Sequence, residues 1–272
     1  MGRKTSSEEA ARARTASREE LKALVYSPSE EVLAALLENP LLDESHLTLL
    51  LERKDVPGHV LEHIAKQKQW MESYPLRLRL ARHPHAPRLL SLRLVKQLYL
   101  FDLVNVSLLP SVPAELKRMA EELILARLPQ LPLGQKFTMA RRGSGRIAAA
   151  LLAEGLKDVV PLALDNPFLN EGHVLKVLAR EELPSGVVAA LAQHRRWSCQ
   201  YNVRMALVRH PLTPLARVLS FLPDLTLGDL KVLSGARTLS PSLREYILHE
   251  IASRSRRTAR QANAPPPVAE GA

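Results

Sequence analysis

Residues 70–87, WMESYPLRLRLARHPHAP, return as residues 197–214, WSCQYNVRMALVRHPLTP, with Trp, Tyr, Arg, Leu, Arg, His, Pro and Pro each displaced by 127 positions. Carried outward at that offset, residues 32–127 and 159–254 share roughly thirty identities without a gap, the self-similarity that marks an internal repeat. The chain therefore reads as two tandem copies of a unit of about 127 residues.

Within each copy the local syntax is helical. SPSEEVLAALLENP supplies Ser27 or Ser29 as an N-cap, acids in the first turn and an Asn39-Pro40 stop. Proline lacks an N–H and disfavours the α conformation in the residue before it, so the next helix must start afresh. Asp43 is the expected N-cap, followed by His46, Leu47, Leu50 and Leu51, and Asn170, His173, Val174, Val177 and Leu178 repeat the pattern. His46 and His173, at the third helical position, suit packing or capping better than chemistry. Pro57 and Pro184 open another helix. Trp70, Tyr74 and Arg77, like Trp197, Tyr201 and Arg204, are spaced i, i+4, i+7 and are expected on one helical face, either as core or as a stacking surface. Arg77 and Arg204 are expected to pair with Asp102 and Asp229.

Aromatics make up only 4% of the 272 residues, and twenty prolines punctuate a Leu- and Ala-rich chain. Many short helices and few strands follow. The expected fold is all-α, an α-solenoid of short antiparallel helices joined by short breaks. Residues 1–18 read as a disordered tail, 19–127 as the first unit, 128–146 as a connector with a helix near Gln135 to Ala140, 147–254 as the second unit, and 255–272 as a Pro/Ala-rich disordered tail. The N-terminus has no apolar leader and no apolar run approaches ~20 residues, so no transmembrane segment is expected. A single cysteine, Cys199, suits a reducing cytoplasm, and a buried structural role is expected for it.

ALLENPLLDESHL, ALDNPFLNEGHV, LARHPHAPRLL and LVRHPLTPLAR carry a helix, Asn/His-Pro break, polar or Pro start, helix pattern. In this they resemble bacterial HEAT-like and leucine-rich-repeat-variant α-solenoid proteins. The resemblance, spread over most of residues 21–253, implies stacked helix pairs that present an extended surface. It carries no catalytic residues across.

No phosphate loop or dinucleotide fingerprint is present. His59-Val60-Leu61-Glu62-His63 matches the H-x-x-E-H arrangement of inverted zinc peptidases. The second copy has Gly186, Ala189 and Ala190 there, which favours a solvated helix face over a metal site. No catalytic residue, metal or cofactor is assigned. Charge is more informative, because the net charge is +10 and it is segregated. Lys66, Lys68 and Arg82, with Arg195, Arg196 and Arg209 in the second copy, are the expected partner-binding or polyanion-binding residues. Two functions fit: a non-enzymatic scaffold offering a partly basic surface to another protein, or a nucleic-acid-binding protein that cradles DNA or RNA as HEAT-like glycosylases do. A metallopeptidase acting through His59 and His63 is a third.

Overall fold

The structure, a computed structural model, describes residues 2–236 and 241–262, and the side chains of residues 8–236 and 241–256. The described residues form nineteen α-helices and no strand. No described helix is long and apolar enough to cross a membrane. The chain divides into two compact units, Met1–Leu131 and Pro132–Ala272.

The first unit runs α1 (Gly2–Thr15), α2 (Arg18–Leu24), α3 (Glu30–Leu36), α4 (Glu44–Glu52), α5 (Gly58–Lys66), α6 (Lys68–Glu72), α7 (Tyr74–Arg82), α8 (Arg88–Val95), α9 (Leu100–Leu108) and α10 (Ala114–Arg127). The second runs α11 (Leu133–Arg142), α12 (Gly145–Glu154), α13 (Val160–Leu164), α14 (Glu171–Leu178), α15 (Ser185–Gln193), α16 (Tyr201–Arg209), α17 (Leu215–Phe221), α18 (Leu227–Ser234) and α19 (Pro241–Ala262). α2, α4, α5 and α7 to α10 each begin 127 positions before α12, α14, α15 and α16 to α19, so the sequence offset is also an offset of helix starts.

Many of the helices start where a capping side chain or a proline supplies the start. Ser29 caps α3, Asp43 caps α4 and Asn170 caps α14. In the last two the third helical residue, His46 or His173, accepts the cap residue's own N–H through Nδ1, closing a reciprocal capping box. Hydrogen bonds from Ser45 and from the backbone hold the Asp43 carboxyl at about 2, well below its ordinary value. Gly155 ends α12 in the left-handed conformation with φ 72°, which suits glycine.

Packing follows the apolar stripe of each short helix. In the first unit α3 packs on α1, α2 and α5, α4 on α7, α7 on α8, and α10 on α8 and α9. In the second unit α13 packs on α11, α12 and α15, α14 on α12 and α16, α16 on α15 and α17, and α18 on α19. Leu33, Leu36, Leu47, Leu50, Leu61, Ile64, Leu76 and Leu80 are fully enclosed in the first unit. Each such side chain contributes about 1.5–3 kcal/mol over an exposed one.

Four expectations need correction. Residues 2–15 form a helix rather than a disordered tail: Ala10, Ala13 and Ala16 are buried, and the Asn39 amide donates to the carbonyls of Ala13 and Ala16 at 2.8 and 3.0 Å. Small side chains let α1 lie close against α3, so little apolar area is needed per residue. The connector holds the expected helix, α11, but that helix belongs to the second unit and packs on α13 as α1 packs on α3. Asn166 donates likewise to Ala140 and Gly143 at 2.8 and 3.0 Å. The final helix continues through Ala262, past the expected start of the C-terminal tail; residues 263–272 of that tail lie outside the described residues. Finally, Trp70 and Tyr74 do not share a helix. Ser73 breaks the chain between α6 and α7 and caps α7 through Leu76 N–H, and Pro75 sits in the first turn.

Asn166 is fully buried, its amide bound to two carbonyls and its Oδ1 accepting the N–H groups of Phe168 and Leu169. Asn166→Ala is expected to destabilise the second unit by about 2–3 kcal/mol, since buried donors and acceptors lose their partners. Asn166→Asp should not rescue it, because a carboxylate cannot donate to the two carbonyls. Urea midpoints of the three proteins check this.

Candidate binding groove

α4, α7 and α9 point the same way. At their N-terminal ends Ser73 donates to Glu44, and the Tyr74 hydroxyl accepts Tyr99 N–H at 2.9 Å while donating to Asp102 at 2.5 Å. Toward their C-terminal ends Leu51, Leu78 and Leu109 line a groove of about 480 Å³. Arg53, Lys54, Arg79 and Arg82 edge it, against the single acid Glu52. Cations suit this place, since the helices end there with unpaired carbonyls and the negative pole of their dipoles.

The cations are not equivalent. Arg53 is structural: its guanidinium donates to the carbonyls of Val25 and Ser27 and pairs with Asp55 at 2.8 Å. Its hydrogen bond holds the Asp55 carboxyl at about 2. Lys54 is exposed and Arg79 and Arg82 half-buried, and none of the three makes a hydrogen bond or ion pair with a described residue. Corresponding positions in the second unit are Arg180, Glu181, Ala206 and Arg209. The same helices form there with the same starts, so Lys54 and Arg79 are not required by the framework.

Of the residues expected to bind, only Arg82 lies in this groove. Lys66 and Lys68 are exposed near the opposite end of α7, whose nine residues span about 13 Å. Lys66 instead borders a second groove of about 380 Å³ with Leu89 and Arg93. In the second unit Arg195 is exposed, and Arg209 is exposed at the end of α16. Arg196 is committed locally: its guanidinium lies 4.3 Å from the Trp197 ring centroid and donates to Asn166 and Leu169 carbonyls. Charge segregation alone does not single out Lys54 and Arg79; the available signal is their replacement by Glu181 and Ala206.

Trp197 is fully buried and donates to Leu164 O at 2.9 Å, whereas Trp70 is half-buried. The expected Arg77–Asp102 and Arg204–Asp229 pairs do not form. Tyr74 and Tyr201 hold those aspartates, while Arg77 donates to Gln97 and Arg204 pairs with Asp224 at 2.8 Å. A tyrosine at the first position of α7 or α16 reaches the adjacent helix start; an arginine one turn later is already past it. Burial, reinforced by the bond to Asp102, pushes the Tyr74 hydroxyl up to about 12. Cys199 is exposed rather than buried, because residues 195–199 are turns in place of a helix. His59 is exposed and lies 3.7 Å from Glu30, and among the described residues no three His, Cys, Asp or Glu side chains converge on a metal-sized site.

His83, at the wall of the groove, is buried. Its Nδ1 accepts His85 N–H at 3.2 Å, and its Nε2–H reaches Arg53 O at 2.7 Å. Burial lowers its pKa below the ordinary 6.5. The unfolded chain therefore binds the proton first, so this contribution to stability is present above pH 6.5 and falls away as the pH drops through the folded value. Between pH 7.5 and 5 the wild type should lose stability, and His83→Asn, which installs the residue used at Asn39, should lose less. Urea midpoints at the two pH values check it, above the range where carboxylates with ordinary pKa values near 4 intervene.

Comparison with protein-family models, with curated proteins and with solved structures gives no match.

Proposed function

We propose that the chain is a tandemly duplicated α-solenoid that acts by binding rather than by catalysis, and that the groove across the C-terminal ends of α4, α7 and α9 takes an extended acidic segment of a partner protein. The observation that carries this is the trio Lys54, Arg79 and Arg82, which make no ion pair or hydrogen bond with a described residue around a leucine lining. Lys54 and Arg79 give way to Glu181 and Ala206 in the second unit, whose corresponding helices form without them.

The mixed lining favours a peptide over a nucleic-acid backbone. Leu51, Leu78 and Leu109 offer apolar contact between the cations, which suits side chains of alternating character. No Phe, Tyr or Trp lines the groove, so bases would find none of these rings to stack on. The duplication is supported by the common 127-residue offset of seven helix starts and of the Asn39 and Asn166 hydrogen bonds.

A fluorescein-labelled twelve-residue peptide rich in Glu and Asp should bind the full chain, more weakly as salt rises. Arg79→Glu with Arg82→Glu should weaken it at least tenfold, with an unchanged thermal unfolding midpoint. Anisotropy titrations check both, with a single-stranded oligonucleotide run in parallel. If the peptide does not bind, or the oligonucleotide binds through the same two arginines and the peptide cannot displace it, this function is wrong.

A further inference from the structure

Beside the groove, on the other side of the Arg82-His83-Pro84 turn, lies a separate cavity of about 180 Å³. Arg82, His83 and Pro84 belong to both linings, so the two spaces flank one short piece of chain. The cavity is walled mainly by apolar groups, among them Leu92 and Pro113, while Arg88 and Glu115 form a forked ion pair at its edge.

Three small residues make this space: Ala81, Ala86 and Ser91. At the same offset the second unit has Val208, Thr213 and Val218, each larger than its counterpart. Those three are packed there: Val208 and Val218 are buried, and Thr213 is buried with its hydroxyl bound to Leu207 O at 2.6 Å. Arg88 and Glu115 become Leu215 and Ser242. The same helix starts thus accept small side chains at these positions in one unit and larger ones in the other.

We propose that this cavity is the anchor pocket of the acidic-segment groove, taking one Leu- or Phe-sized apolar side chain of the same bound segment; the inference rests on the groove reading above. An apolar cavity of ~150 Å³ admits a benzene-sized guest, so this volume suits one branched or aromatic side chain. The free cations of the groove select the flanking acids, and Arg82, common to both linings, links the two. Acidic residues alone would give a salt-sensitive contact of low selectivity; a buried anchor supplies the discrimination.

The test uses full-length protein and three labelled peptides with one acidic frame, differing only in a central Leu, Phe or Ala. At fixed salt the Leu or Phe peptide should bind at least tenfold tighter than the Ala peptide. Ala81→Val with Ser91→Val, residues the second unit already accommodates, should abolish that difference while leaving the Ala peptide's affinity unchanged. The same variant should unfold at the same or a higher temperature, which separates a filled pocket from a damaged fold. Equal binding of all three peptides, lost on Arg79→Glu with Arg82→Glu, would leave the groove standing and overturn the pocket. A Leu preference that survives the two valines also overturns it. No binding by any peptide overturns both.

Discussion

The ends of short helices, more than their middles, govern this molecule. Every α-helix leaves its first N–H and last C=O groups without internal partners, and a fold of nineteen helices among its described residues multiplies that demand. The Asn-Pro and His-Pro breaks answer it in a common way. Asn39, Asn166 and His83 are buried; each accepts a backbone N–H two residues later and donates its other polar group to carbonyls of an earlier segment. His210 keeps the local half of the device, accepting Leu212 N–H. Proline removes the donor that would have extended the helix, and the preceding polar side chain turns the resulting break into a cross-link between neighbours. Stacking is therefore specified by hydrogen bonds at the breaks as well as by leucine burial.

This constraint explains which parts of the fold were legible. Caps act over three residues, so Asp43 with His46 and Asn170 with His173 could be read directly. Cross-links act over about one helix pair, and their partners could not. Asp102 and Asp229 are each held from the helix two before their own, as recurrence suggests, but by tyrosine and not arginine: Tyr74 and Arg77 recur equally well, and only the backbone direction decides which one reaches. The Trp70-to-Arg82 segment was read as one helix because i, i+4 spacing survives a break of suitable length, although Ser73 before Tyr74-Pro75 is itself a helix start. The N-terminal helix was missed for a related reason. Its packing face is alanine, which adds little to any hydrophobic pattern, and its tether is the side chain of Asn39, more than twenty residues away.

The two units are informative in opposite ways for fold and for site. Shared residues such as Asn39 and Asn166 or Tyr74 and Tyr201 tie helix breaks and helix starts to neighbouring segments. Divergent positions, Lys54 against Glu181, Arg79 against Ala206, Ala81 against Val208 and Ser91 against Val218, cluster around one turn of the first unit. A helical framework that forms with either residue leaves that position open to selection for something else. The expected binding residues rest on local positive charge, and that criterion also collects structural arginines, of which Arg196 is the plain example.

Net charge must be read through the same constraint. A short-helix fold has many exposed carbonyl ends, and arginine is the side chain best able to reach two of them at once. Arg53 donates to Val25 and Ser27, Arg196 to Asn166 and Leu169, and Arg254 to Leu222 and Leu225, each roughly thirty residues back, while Arg204 and Arg244 serve Ser198 and Ala236. A basic composition in such a protein is partly a consequence of its architecture. The overall charge of +10 therefore says little about a polyanionic partner. Evidence for binding has to come from cations that the helix ends do not use, and around the first unit's groove those are Lys54, Arg79 and Arg82.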